Sequence, residues 1–207
     1  MSMSRLWTGP APLLLASTSA TRRALLESAG LSVDTDAPGV DERAIEEVAR
    51  RENLNPMGLA QRLAAEKALA VSRRHPERLV LGGDQVLACG AEIFHKPEDR
   101  QAARAQLERL AGRRHALHSA GALAQGGRVV GEFKDAAHLA MRTLTPENID
   151  LYLALAGPQV LHSVGVYQLE GLGIHLFEEV EGDHSTILGL PLRPLLSTLR
   201  RLGLLAF

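Results

Sequence analysis

The chain is short of several residue types at once, and each shortage excludes something. Cys89 is the only cysteine in 207 residues, so neither an internal disulfide nor a Cys-rich zinc site can form. Aromatic residues make up 3%, too few for a base-stacking platform on single-stranded nucleic acid. No apolar run approaches the roughly 20 residues that span a bilayer. Residues Met1 to Thr8 lack the charged start and apolar core of a signal peptide, and a reducing cytoplasm is the expected setting. Lysine is scarce as well. Of 23 basic residues only Lys67, Lys96 and Lys134 are lysines, the mark of a GC-rich coding bias. The surviving lysines are therefore informative, because a compact ammonium meets a phosphate differently from a guanidinium. Basic and acidic residues nearly cancel, for a formal charge of -1, which argues against a general nucleic-acid binder.

What is present suits an ordinary soluble globule, 45% apolar and 23% charged. Leu13 to Ala16 reads as a short buried strand. Ser17-Thr18-Ser19 follows as a polar turn, then a helix to about Ala29, stopped by Gly30. Residues 31–34 suggest a second short strand and 37–40 a loop ending at Asp41-Glu42. Asn55-Pro56 opens a long helix, with Asn as N-cap and Pro at the first helical position, and it closes near His75-Pro76. Leu79 to Gly83 is another apolar strand, ending at Asp84 and continuing extended to Cys89. Pro97-Glu98-Asp99 starts a helix to Ala111. Residues 115–124 and 128–142 form a hairpin around Gln125-Gly126-Gly127. Thr145-Pro146 caps a helix to Ala156, residues 164–180 read as strand-like, and Pro191 opens a closing helix. Mixed strands and helices without a repeat or linker predict an α/β or α+β fold with a mixed sheet, and no domain boundary is drawn.

Five places carry candidate chemistry. Ser17, Ser19, Arg22 and Arg23 lie at a strand-to-helix junction, where free N–H groups and the helix dipole attract anions. Two arginines there oppose the dipole, a conflict that a bound phosphate resolves. The alternative is an N-cap serine with solvated arginines. Lys67 falls in the middle of the apolar stripe of the long helix, where a charge must snorkel, pair or meet a ligand. Gly82-Gly83-Asp84-Gln85 ends a strand, the usual place of a ligand crevice in open α/β sheets; Asp84 there can hold a cation or take a proton from water, or be a turn Asp bonded to its own backbone. Lys96 precedes a helix N-terminus. Asp41-Glu42 is a metal-ligand pair or a helix N-terminal acid cluster. The eight histidines show no metal spacing. Ser185-Thr186 and the Gly189-Leu190-Pro191 turn read as structural.

Together these pieces resemble the Maf family, also called septum-formation-inhibitor proteins. The resemblance rests on Leu15-Ala16-Ser17-Thr18-Ser19 with Arg22-Arg23, Val40-Asp41-Glu42, Ala65-Glu66-Lys67-Ala68, Gly83-Asp84-Gln85-Val86, Lys96-Pro97, Leu110-Ala111-Gly112-Arg113, Gly165 to Gly171, and Gly182-Asp183 through Leu192, in the family's order. It implies one Maf-like domain over residues 13–207 behind an N-terminal extension of residues 1–12. The implied fold is a mixed, strongly twisted sheet flanked by helices, with two lobes and a central cleft, often dimeric. The implied activity is a nucleoside triphosphate pyrophosphatase that cuts between the α and β phosphates of (d)NTPs, modified ones included, in a house-cleaning role. By family pattern Asp84 accepts a proton from the attacking water. Glu42 and Asp84 hold Mg²⁺ or Mn²⁺, and Ser17, Ser19, Arg22, Arg23, Lys67 and Lys96 bind phosphate. Thr21, Gln85 and Glu170 match positions that vary with base preference. Gln85 and Glu170 look like the 7-methyl-GTP-preferring branch, while Thr21 stands where that branch has a large aromatic. Neither nucleic acid nor membrane is an expected partner. The alternatives are a nucleotide-binding regulator of cell division without turnover, and a nucleotidyltransferase.

Overall fold

Short apolar runs alternating with capped amphipathic segments give the chain its order of elements. In the computed structural model, which describes residues 6–207, these are β1 (Leu13–Leu15), α1 (Ala20–Ser28), β2 (Val33–Thr35), α2 (Glu42–Arg51), α3 (Pro56–Arg74), β3 (Val80–Cys89), β4 (Glu92–Phe94), α4 (Arg100–Leu110), β5 (Arg114–Gln125), β6 (Arg128–Met141), α5 (Pro146–Ala156), β7 (Phe177–Glu181), α6 (His184–Ile187) and α7 (Leu192–Arg201). The strands form a seven-stranded sheet flanked by helices, ordered β2-β1-β3-β5-β6-β7 with β4 on β3. The sheet is mixed: β1 runs parallel to β2 and β3, whereas β4 and β7 pair antiparallel with β3 and β6. No helix among the described residues is long and apolar enough to cross a membrane.

The chain forms two compact units. The first comprises residues 1–85, 119–135 and 183–207, of which 1–5 lie outside the described residues; the second comprises 86–118 and 136–182. Neither unit is contiguous in sequence, which is why no composition shift marks a boundary. In the first unit, Leu13, Leu15, Leu26, Leu81, Leu123, Phe133, Leu190, Leu195 and Leu199 share one apolar core. Trp7 belongs to that core, 4% exposed, and bridges to Leu205. Residues 6–12 of the expected N-terminal extension thus include part of the packed interior, and residues 1–5 lie outside the described residues. In the second unit α4 and α5 pack together. Beside them a buried polar group joins the His115 ring Nε2 and the Tyr167 hydroxyl at 2.8 Å, with Phe177 edge-on to Tyr167.

Two sequence expectations fail for visible reasons. Of the segment read as strand-like, residues 164–180, only the last part is a strand: short 3-10 turns occupy Val164–Val166 and Leu172–Leu176, and the strand begins at Phe177. Gly165 and Val166 both take positive φ, 77° and 65°, which folds the chain back. At β-branched Val166 that conformation costs about 1–2 kcal/mol. The Tyr152 hydroxyl secures it by donating to the Val166 carbonyl at 2.9 Å. The second miss is α2, unassigned from sequence. Six of its ten residues are charged and only Ala49 is buried; the short apolar stripe of Ile45, Val48 and Ala49, at i, i+3 and i+4, is the signal that marks it. The helix after Lys96 also starts later than expected, at Arg100, with Asp99 as its N-cap.

Candidate active site

The long helix α3 turns one face inward through Leu59, Ala60, Leu63, Ala64, Lys67, Ala68 and Val71. Lys67 lies inside that stripe and is 6% exposed, as its place on the helix demands. The approach of α3 to β3 depends on Gly82. A Cβ there would stand 2.1 Å from the Ala64 carbonyl oxygen and 2.6 Å from the Ala68 nitrogen, so any other residue would push the helix off the strand. With that contact closed, the helix turn carrying Lys67 faces Asp84, two residues along β3. The Lys67 Nζ donates to Asp84 Oδ1 at 2.6 Å and sits 2.8 Å from Glu42 Oε1. Asp84 is 6% exposed, while the Glu42 side chain is half exposed.

The ammonium thus resolves the conflict read from sequence by pairing, and with both acidic candidates at once. Asp41 and Glu42 divide their two readings. Asp41 caps α2, accepting from the Ala44 nitrogen at 3.1 Å, whereas Glu42 turns to Lys67. Arg22, in the first turn of α1, lies over Gly83, where an added Cβ would be 3.6 Å from its Cδ and Nε. Its Nε donates to the Gly189 carbonyl at 2.9 Å. Burial pushes the Asp84 carboxyl above the usual carboxylate range, against the opposing pull of the Lys67 and Arg22 charges. Burial likewise lowers the Arg22 pKa, opposed by Asp84 and Glu42. A buried ammonium–carboxylate pair, Lys67 with Asp84, flanked by the part-buried Arg22 and the half-exposed Glu42, is costly to desolvate, which makes it a functional-site candidate on physical grounds.

At the start of α1 both sequence readings have a place. Ser19 is the N-cap and accepts from the Arg22 nitrogen at 3.3 Å; buried Ser17 accepts through Oγ from the Ser19 nitrogen at 3.1 Å. Thr21 is half-buried in the same turn. Arg23 is not brought to the cluster. Its exposed guanidinium donates to Glu27 at 2.7 Å, one helical turn on. Lys96 and Glu170 belong to the second unit, both exposed. Lys134 reaches Gln61 Oε1 at 3.1 Å on the surface.

Sequence reading missed one part of this neighbourhood. The two N–H groups of Gln85 Nε2 are shared among three acceptors, Ser119 Oγ at 2.9 Å, the Thr186 carbonyl at 2.9 Å and the Ile187 carbonyl at 3.0 Å. The acceptors lie 34 to 102 residues away in the chain, and two are main-chain carbonyls, so no local pattern reveals them.

Among the described residues no group of three or more His, Cys, Asp or Glu converges as a metal site. Glu42 and Asp84 nonetheless fit a hard divalent cation. Mg²⁺ is commonly held by one or two carboxylates, with phosphates and water completing its shell.

A family model described as Maf-like protein matches residues 12–202. A protein of Rhodopseudomonas palustris (strain BisB18) named nucleoside triphosphate pyrophosphatase is 51% identical over 202 residues, 98% of this chain and 99% of that protein. Another of the same name, from Rhodopseudomonas palustris (strain HaA2), is 53% identical over 203 residues, again 98% and 99% of the two chains. A protein of Mesorhizobium japonicum named 7-methyl-GTP pyrophosphatase is 49% identical over 191 residues, 92% of this chain and 96% of that protein.

Proposed function

The chain belongs to the Maf family, and from that premise we propose that it is a nucleoside triphosphate pyrophosphatase, releasing a nucleoside monophosphate and pyrophosphate. The observation that carries this reading is the buried Lys67 ammonium held between Asp84 and Glu42, with Arg22 over Gly83. Triphosphate hydrolysis needs a proton acceptor and positive charge on the leaving pyrophosphate, and these residue types supply both.

Asp84 takes the proton from water as its oxygen adds to phosphorus, and the α–β phosphoanhydride bond breaks with its electrons on the pyrophosphate. Burial suits Asp84 to this, since a carboxylate with a raised pKa is a stronger base than an exposed one. Lys67 holds the Asp84 carboxylate in place and, with Arg22, offers N–H donors to phosphate oxygens. Ser17 and Ser19 add hydroxyls at the helix N-terminus. Glu42 and Asp84 would hold Mg²⁺ or Mn²⁺, which supplies further charge neutralisation on the phosphates. Lys96 and Arg23 as phosphate ligands, and Thr21, Gln85 and Glu170 as base-selecting positions, enter through the family pattern alone, as do a cytoplasmic, house-cleaning role and a homodimer.

A panel of nucleoside triphosphates with Mg²⁺ or Mn²⁺, including 7-methyl-GTP, UTP, dTTP and ITP, tests the reading. Monophosphate and pyrophosphate are the expected products; orthophosphate alone would overturn it. Triphosphate binding without turnover would move the assignment to a nucleotide-binding regulator.

A further inference from the structure

The Gln85 side chain is spent on the protein itself. Thr186 and Ile187 present carbonyl oxygens to it. A carbonyl only accepts, so the amide nitrogen must face them and the amide cannot flip without setting its own oxygen against two others. Ser119, fully buried, completes the clamp: its Oγ donates to the Thr186 carbonyl at 2.8 Å and accepts from Gln85. Thr186 is fixed from its other side, its hydroxyl donating to Asp135 Oδ2 at 2.8 Å. The clamped turn ends at Gly189, whose carbonyl receives Arg22 Nε. The guanidinium and the outward face of the Gln85 amide meet there. A Cβ on Gly189 would lie 3.5 Å from Arg22 Nη2 and 3.7 Å from Gln85 Oε1.

We propose that Gln85, with Ser119, is a positioning residue for phosphate binding: it locks the Thr186–Gly189 turn, and the Gly189 carbonyl then fixes the direction in which Arg22 offers its remaining N–H groups. This rests on the pyrophosphatase reading for the identity of the ligand. It gives residue 85 an effect common to all triphosphates, in place of, or beside, any contact with a base. A guanidinium fixed at Nε presents Nη1 and Nη2 in one plane, the arrangement that bidentate phosphate binding requires. Released from Gly189, the same side chain would have to be ordered by the ligand at each binding event.

Inorganic tripolyphosphate, which has no base, separates the two roles. By calorimetric titration, Gln85→Leu should bind tripolyphosphate about tenfold more weakly than the wild type. A loss of the same origin should appear in kcat/KM for every nucleotide, whatever its base. In an Arg22→Ala background the same substitution should cause no further loss, because the grip it supports is already gone. Unchanged tripolyphosphate affinity in Gln85→Leu, with altered nucleotide ratios, would overturn the proposal. If Gln85→Leu does not fold by circular dichroism, Ser119→Ala decides. It should weaken tripolyphosphate binding severalfold, and wild-type affinity in that variant would equally overturn the proposal. A wild type that binds tripolyphosphate in this Gln85-dependent way but hydrolyses no nucleotide would remove the pyrophosphatase reading and leave the positioning role standing. Robust pyrophosphate release with Gln85-independent binding would do the reverse.

Discussion

The two units each bury a polar group, and they do so by opposite means. In the first, Lys67, Asp84, Glu42 and Arg22 are ionisable partners gathered where β3, α1, α2 and α3 come together. In the second, His115, Tyr167 and Tyr152 are held neutral. Burial lowers the His115 pKa to about 4 and pushes Tyr152 up to about 12. The neutral group is bound up with its own fold, since the Tyr152 hydroxyl secures the Val166 carbonyl and His115 engages Tyr167. A folding scaffold can be built from neutral hydrogen bonds at modest cost. A buried set of charges is harder to justify by stability, because an apolar replacement is often as stable. The contrast sets an ion-paired cluster, whose cost stability alone does not repay, beside a neutral one that holds a strained turn.

Substitutions can break that contrast or sharpen it. The largest effect is expected for Asp84→Asn, which keeps the shape and removes the base: turnover should fall by about 10³-fold while circular dichroism stays native. Full activity would take Asp84 out of its role. Next is a pH effect to which the neutral group contributes. The folded-state pKa of His115 lies below its ordinary value of 6.5, so the unfolded chain binds the extra proton first. Stability from this group is complete above about pH 6.5 and is lost as pH falls toward 4, by up to about 3 kcal/mol. Urea unfolding across that range should show the slope in the wild type and a flatter one in His115→Gln. Equal slopes would mean that His115 is not the sensor. Lys67→Arg should lower kcat/KM by about tenfold or more, because a planar guanidinium cannot replace an ammonium bonded to two carboxylates inside a helix stripe. The smallest effects concern the remaining lysines in the same assay. Lys96→Arg should impair turnover by a measurable margin, as the family pattern implies, and Lys134→Arg should leave it unchanged.

Much of the geometry around the candidate site is legible in the sequence. Lys67 stood out because helical periodicity put a charge among apolar neighbours. Asp84 stood out because it ends an apolar strand after two glycines. Asn55-Pro56 and Thr145-Pro146 announced their helices, and both residues act as the expected N-caps. Elsewhere the physics is not local. Nothing near Glu42 in the chain tells it from Asp41, yet one reaches Lys67 and the other caps α2. Arg22 and Arg23 are adjacent, and only the packing of α1 decides which guanidinium turns inward. Ser185-Thr186 and Gly189 read as structural; Thr186 lies in α6, and its carbonyl and that of Gly189 accept from Gln85 and Arg22 across long stretches of chain. Of the segment read as strand-like, only residues 177–180 are a strand; before it the positive φ at Gly165 and Val166 is secured by a tertiary contact, the Tyr152 hydroxyl on the Val166 carbonyl.

The scarcity of aromatic residues has a practical use. Trp7 is the only tryptophan; it is buried in the core of the first unit, with its indole N–H donating to the Ala11 carbonyl at 2.8 Å. Both tyrosines, Tyr152 and Tyr167, are buried in the second unit. The intrinsic chromophores therefore give each unit its own optical label, tryptophan emission for one and tyrosine absorbance for the other. Whether the units melt together or in sequence can be read from the unaltered protein, with no dye and no engineered probe.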